Sequence, residues 1–241
     1  MIINYFILGI NPFFTAYYES DWIGKAIFLS LLILSIACWT VLIYKFLANR
    51  KALQSSLEFR QTFERHKGNP LAIPLPKNMD LNPFLSIYSS VKKHTLDILN
   101  KNRKVSENEN QPTYLSRNDI EFVDSHTIAT ITHQMKHLEK NLYILSTIVA
   151  LAPFLGLLGT VWGILDAFTD LQTQTGNTSQ IVLGGLSLAL TTTVLGLIDA
   201  IPALIGYNYL KYQVRDLQMD MESFATEVLA SVELQYRKVD L

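Results

Sequence analysis

The sequence has a single cysteine and almost no net charge, and it lacks the usual catalytic motifs. Cys38 has no second cysteine to pair with, so the chain forms no internal disulfide. The 20 Lys and Arg residues nearly balance 21 Asp and Glu residues, which argues against a basic nucleic-acid-binding protein. No Walker motif, Gly-rich phosphate loop or Ser/His/Asp arrangement occurs, so the chain does not itself draw energy from ATP.

Hydrophobic residues, by contrast, are abundant, at 49% of the chain. They concentrate in three segments, 22–46, 142–168 and 181–207. Each segment is longer than the ~20 apolar residues that a helix needs to cross a bilayer. The sequence therefore predicts an all-α integral membrane protein with three transmembrane helices and a sizeable polar part.

The distribution of Lys and Arg predicts the orientation of these spans. No Lys or Arg precedes Trp22, whereas several basic residues follow both the first and the third span. Because positive residues near membrane ends stay cytoplasmic, we expect the N-terminus outside and the C-terminus inside. The start of the chain lacks the features of a cleaved signal peptide, so we expect the first span to be an uncleaved anchor. The remaining predicted segments are an outer interfacial segment 1–21, a cytoplasmic helical region 47–141, an outer loop 169–180 and a cytoplasmic C-terminal helix 208–241.

The cytoplasmic regions carry helical patterns. Pro83 to about Lys101 has apolar residues at helical spacing and predicts an amphipathic helix. A second helix, capped near Ser116, is expected to begin at Arg117 and to run without a break into the second span. Beyond the third span an apolar stripe continues, made of Leu210, Val214, Leu217, Met221, Phe224 and Val228. This stripe fits packing on the protein's own helices and packing between subunits equally well.

Small residues in the second span indicate close helix packing. Gly156, Gly159 and Gly163 let a neighbouring helix approach, which a simple lipid anchor does not need. The segment around them reads Ala152-Pro-Phe-Leu-Gly-Leu-Leu-Gly-Thr-Val-Trp-Gly-Ile164, with Pro153 near its start. The third span ends in Gly196-Leu-Ile-Asp-Ala-Ile-Pro-Ala-Leu-Ile-Gly-Tyr-Asn208, which contains Gly196 and Pro202.

These two motifs, in this order and with this topology, resemble the TolQ/ExbB branch of the MotA/TolQ/ExbB proton-channel family over nearly the whole chain. The resemblance implies a homo-oligomeric, pore-forming ring in the bacterial inner membrane, surrounded by lipid, with a pentamer as the expected form. It implies a TolR/ExbD-like single-span partner inside the ring and a TolA/TonB-like periplasmic protein that the ring drives with the proton motive force. It implies no enzyme activity and no cofactor. Thr160 and Thr193 match the family's pore threonines, whose hydroxyls can both donate and accept hydrogen bonds.

The chain departs from this pattern at Leu188, where the family usually carries a pore glutamate. Asp199 is the candidate for compensation, and we expect Thr192 and Asp199 to belong to the pore and proton pathway, because Leu188, Thr192 and Asp199 fall on nearly the same face of a helix. An ionisable group within a span is by default a functional hypothesis. Asp199 has a structural interpretation as well, in which it caps a neighbouring helix or pairs with a lysine. If Leu188 abolishes conduction, the alternative function is a scaffold that assembles the partner subunits.

Other classes of function fit the sequence less well. An intramembrane aspartyl protease would need Asp166 and Asp199 to meet, yet they are expected at different depths and the Gly-x-Gly-Asp motif is missing. A substrate transporter is disfavoured because no internal repeat occurs. His126, His133 and His137 share one helix face, but without further ligands we expect no metal site.

Overall fold

The computed structural model describes residues 13, 17–18, 20–75, 82–105, 114–173 and 178–237. Within these ranges the chain forms five α-helices, and its extended structure is limited to an isolated bridge between Leu115 and Arg237. The helices are α1 (Trp22–Arg65), α2 (Pro83–Val105), α3 (Arg117–Glu139), α4 (Leu142–Thr173) and α5 (Thr178–Tyr236). The expected interfacial segment 1–21 lies mostly outside the described residues. In the expected outer loop 169–180, the described residues belong to the ends of α4 and α5.

Three helices are long and apolar enough to cross a membrane, which confirms the predicted number of spans. The qualifying helical stretches are Trp22–Arg65, Leu142–Thr169 and Gly184–Tyr236. The all-α prediction is confirmed for the described residues. α1 and α5 continue well beyond a membrane-length segment, as expected for spans with helical extensions.

The chain divides into two compact units. The apolar unit comprises residues 1–44 and 141–209, and the polar unit comprises residues 45–140 and 210–241. The apolar unit holds the three membrane-length segments, including Pro153 within α4 and Pro202 within α5. A proline inside a helix has no N–H for the carbonyl four residues earlier, and membrane helices tolerate this where neighbours satisfy the freed group.

The core of the polar unit is built from aromatic side chains. Phe224 of α5 stacks on Phe84 of α2 with ring centroids 4.6 Å apart, and it meets Phe63 of α1 edge to face at 5.4 Å. The whole apolar stripe from Leu210 to Val228 is buried within one copy of the chain. Of the two interpretations of this stripe, the structure therefore shows the first, packing on the protein's own helices.

The start of α3 was predicted correctly, but its continuation was not. Ser116 and Asp119 form a capping box: Ser116 Oγ accepts from the Asp119 N–H at 3.2 Å, and Asp119 Oδ2 accepts from the Ser116 N–H at 2.9 Å. α3 then ends at Glu139 and α4 begins at Leu142, so the expected unbroken rod is wrong. Asn141 adopts a φ of 71°, a left-handed conformation that Asn tolerates better than most residues and that interrupts the helical hydrogen bonds.

Lys45 and Asn49 of α1 are buried in the polar unit. Lys45 Nζ donates to the Leu138 carbonyl at 2.9 Å, which satisfies one of the free carbonyls in the last turn of α3. Asn49 lies one turn further along α1, and neither its amide nitrogen nor its amide oxygen has a hydrogen-bond partner among the described residues. Lys45 therefore stabilises the end of α3. The buried Asn49 amide, by contrast, lost its hydrogen bonds to water without gaining new ones, which lowers the stability of the fold.

Candidate functional site

The two helices that carry the sequence motifs, α4 and α5, meet through glycine in the apolar unit. A Cβ atom built at Gly156 would lie 3.0 Å from the Thr192 carbonyl oxygen, and one at Gly196 would lie 2.5 Å from the Ala152 carbonyl oxygen. A Cβ at Gly159 would overlap the Thr192 side chain. The helices can approach this closely only because these positions have no side chain.

Further along the same contact, Gly163 faces Gly185. A Cβ at Gly163 would lie 2.6 Å from the Gly185 carbonyl oxygen, and one at Gly185 would lie 2.5 Å from the Gly163 carbonyl oxygen. Gly185 was not among the predicted packing residues. The adjacent Gly184-Gly185 pair was the available sequence signal, because small residues mark close contacts between membrane helices.

The three candidate pore threonines differ in environment. Thr160 is partly exposed, and its hydroxyl donates to the Leu157 carbonyl of its own helix at 2.7 Å. Thr193 is also partly exposed, but its hydroxyl crosses to α4 and donates to the Gly156 carbonyl at 3.2 Å. Thr192 is fully buried, and its hydroxyl lies within 3.0 Å of the Ala189 carbonyl and 3.1 Å of the Leu188 carbonyl. Thr160 and Thr193 thus keep some access to the surface of a single copy, whereas Thr192 has none.

Asp199 faces the first span and is set apart from these hydroxyls. The carboxylate is 7% exposed, and it is hydrogen-bonded to the Ser35 side chain of α1. Cys38, one turn after Ser35, also lies close to this carboxylate. The structure therefore gives Asp199 a polar partner inside the copy, on the side of α5 that packs against α1.

Leu188, at the position of the family's usual glutamate, is buried against the first span. A Cβ at Gly24 of α1 would lie 2.7 Å from Leu188 Cδ2, so glycine leaves the space that this leucine occupies. Leu188, Thr192 and Asp199 are all buried, in agreement with their expected position on one helix face. That face is covered by α1 and α4 of the same copy.

A carboxylate at the start of α1 ties the first span to the second. Asp21 Oδ1 accepts from the Gly24 N–H at 2.7 Å, as an N-cap residue does, while Oδ2 accepts from Trp162 Nε1 at 3.0 Å. Trp162 belongs to the second-span motif, so this bond helps to position that motif. The role of Asp21 was missed at the level of sequence, although an Asp directly before an apolar helix is a recognisable capping signal.

The outer surfaces of α4 and α5 remain apolar in a single copy. Val161, next to Thr160, is 60% exposed, and Leu190 and Ile205 of α5 are more than 60% exposed. Large apolar side chains on this scale need lipid, another copy or a partner to cover them. The surface that carries Thr160 is therefore suited to a protein or lipid contact.

The predicted histidine stripe does not form a metal cluster. His126 pairs instead with His94 of α2, with ring centroids 4.3 Å apart, and the Phe122 ring lies 4.3 Å from His126 and 6.2 Å from His94. Burial lowers the pKa of His94, and the neighbouring His126 and Lys93 lower it further, while Asp97 opposes the shift. Within the described part of the chain, no group of three or more His, Cys, Asp or Glu side chains could hold a metal ion.

The model of the MotA/TolQ/ExbB proton channel family matches residues 97–223, more than half of the chain. The chain belongs to the MotA/TolQ/ExbB proton channel family. The biopolymer transport protein ExbB of Salmonella typhimurium is 28% identical over 230 residues, covering 93% of this chain and 86% of that protein. The Tol-Pal system protein TolQ of Haemophilus influenzae is 37% identical over 97 residues, 40% of this chain and 42% of that protein. ExbB of Helicobacter pylori is 52% identical over 73 residues, 30% of this chain and 50% of that protein.

Family membership and the three apolar helices together define the broad class of the protein. It is a multi-pass inner-membrane protein of the TolQ/ExbB type, a subunit that energises transport. The family is a transport family and its description names no enzymatic reaction.

Proposed function

We propose that this chain is the channel-forming stator subunit of a proton-driven inner-membrane motor. In the proposal, copies of the chain form a ring, with five copies expected, around the spans of a TolR/ExbD-like partner. Proton flow between ring and partner then drives a TolA/TonB-like protein that acts on the outer membrane. The N-terminus is periplasmic and the C-terminus cytoplasmic.

The observation that carries the proposal is the partial exposure of the two motif threonines. Thr160 and Thr193 keep partial exposure on helices whose apolar surfaces are otherwise uncovered in a single copy. Their hydroxyls can orient water or a partner carboxyl without carrying a fixed charge. We propose that this surface faces the partner helices.

Asp199 receives a different role in this proposal. Its carboxylate points toward Ser35 of α1, so we assign it to the contact between the first and third spans. Thr192, buried against Gly159, is likewise assigned to helix packing. The proton-accepting carboxyl then belongs to the partner, and Leu188 in place of glutamate is compatible with conduction.

The test is proton flux, driven by a pH gradient, through the chain reconstituted in vesicles with its single-span partner. Thr160→Val and Thr193→Val should lower the flux about 2- to 10-fold, the effect of losing one neutral hydrogen bond in the rate-limiting state. Thr147→Val is the matched control, since Thr147 lies on the same helix and bonds to the Tyr143 carbonyl in the same way, at 2.9 Å. Asp199→Asn should retain flux.

The outcomes separate the candidate functions. If Asp199→Asn abolishes flux in an assembled complex, the carboxylate takes part in the proton pathway and our assignment of Asp199 is wrong. If the wild-type complex assembles but carries no protons, the non-conducting scaffold becomes the better account, for which Leu188 is the motivating residue.

A further inference from the structure

The polar unit contains an open groove between α3 and the C-terminal part of α5. Its volume is about 540 Å³. Thr127 and Ala225 are buried at its floor, and Ile128 stands in it with 56% of its surface exposed. An isoleucine this exposed in a concave site offers apolar surface for contact with another molecule.

The rim of this groove is acidic. Asp124 and Glu139 of α3 and Glu222 of α5 line it, and no Lys or Arg does. Within the described ranges, none of these three carboxylates forms an ion pair. The polar unit as a whole has 19 Lys and Arg residues against 16 Asp and Glu residues. The negative charge that lines the groove thus contrasts with the net positive charge of the polar unit.

A neighbouring face of α3 carries the complementary charge. His133, Lys136 and Lys140 are exposed there and follow one another by three and four residues, so they form one stripe. At about 100° per residue, the members of this stripe are turned by roughly 80–180° from Ile128, Ile131 and Met135 in the groove. We call these two surfaces the acidic groove and the basic face of α3.

We propose that the acidic groove of one copy binds the basic face of α3 of a second copy. Charge complementarity favours this occupant, because a copy of the same chain offers two exposed cations, Lys136 and Lys140, at the C-terminal end of α3. The groove and the basic face are different surfaces of one molecule, so the contact is heterologous and can repeat from copy to copy until a ring closes. The proposal rests on the proposed function only in requiring that copies associate.

The first test is a photo-crosslinking benzophenone side chain at position 128, in the chain purified in detergent and in native membranes with its partner. We expect adducts between two copies, with the second attachment site within residues 133–140. Adducts with the single-span partner or with lipid, in place of a second copy, would overturn the proposal. An intact oligomer without any adduct would contradict this interface but not the proposed ring. A wild-type chain that stays monomeric would contradict both the interface and the ring.

The second test is charge reversal with rescue, read by native mass spectrometry of the oligomer. Asp124→Lys with Glu139→Lys, or Lys136→Glu with Lys140→Glu, should each weaken association roughly tenfold or more, because like charges then face each other. All four substitutions in one chain should restore it, which also shows that the variants fold. Asp216→Lys, at an exposed carboxylate of α5 outside the groove, is the control and should leave association unchanged. Failure of the fourfold variant to recover, with helical content intact, contradicts the proposal.

Discussion

The close contact between α4 and α5 can be tested by adding single methyl groups. At Gly159 the added Cβ would overlap the Thr192 side chain, which is fully buried and held by the carbonyls of its own helix. Thr192 cannot turn away without losing these bonds, so the helices must separate. Overpacking of this kind costs about 1–3 kcal/mol, which corresponds to a roughly 5- to 150-fold shift in the unfolding equilibrium.

Two other glycines provide a graded comparison. At Gly156 the new Cβ would lie 3.0 Å from the Thr192 carbonyl oxygen, which needs a shift of only a few tenths of an ångström. At Gly68 nothing lies within 4 Å, so alanine there should be neutral or slightly stabilising. The expected order of stability is therefore Gly68→Ala, then Gly156→Ala, then Gly159→Ala.

The measurement is thermal or denaturant unfolding in detergent, followed by circular dichroism. Thr192→Gly should partly rescue Gly159→Ala, because it removes the atoms that the methyl group meets. If Gly159→Ala is as stable as the wild type, or if Thr192→Gly adds its own cost with no rescue, the close packing of α4 on α5 is not as described.

Three further predictions concern the remaining polar contacts. Asn49→Leu should raise the free energy of unfolding by about 1–3 kcal/mol, because both amide atoms are buried without a partner; a loss of stability would reveal a bond that the structure lacks. Burial raises the pKa of Tyr88 to about 12, and its hydroxyl donates a hydrogen bond to the Ile73 carbonyl at 3.3 Å. Stability linked to Tyr88 is therefore present below pH 10 and lost as the pH rises toward 12, and Tyr88→Phe should remove a transition near pH 12 from a 295 nm titration. Asp21→Ala should cost about 1–2 kcal/mol through loss of the α1 cap, and a double-mutant cycle with Trp162→Phe should show coupling, whereas simple additivity would contradict the hydrogen bond between them.

Much of the secondary structure was predictable because its causes are local. Apolar runs longer than a bilayer is thick predicted the three spans, and Ser116 followed by Asp119 predicted the start of α3. The break at Asn141 was not predictable in the same way. Asn favours helix ends but also occurs inside helices, so the surrounding structure decides whether it adopts the left-handed conformation.

The candidate site, too, was predictable only where its geometry follows from local spacing along the helix. Sequence spacing correctly put Leu188, Thr192 and Asp199 on one side of α5, since the period of a helix is fixed. It could not say what that side faces, and the structure places it against α1 and α4 of the same copy, with Ser35 beside Asp199.

Hydropathy, helix period and motifs are properties of neighbouring residues along the chain, so they were enough to predict the membrane-spanning character, the helical extensions and the family. Helix packing determines which hydroxyls remain accessible, which carboxylate has a hydrogen-bond partner and where a groove opens between α3 and α5. Those features depend on residues far apart in the chain, such as Asp21 and Trp162, whose meeting is set by how the helices pack and not by any local pattern.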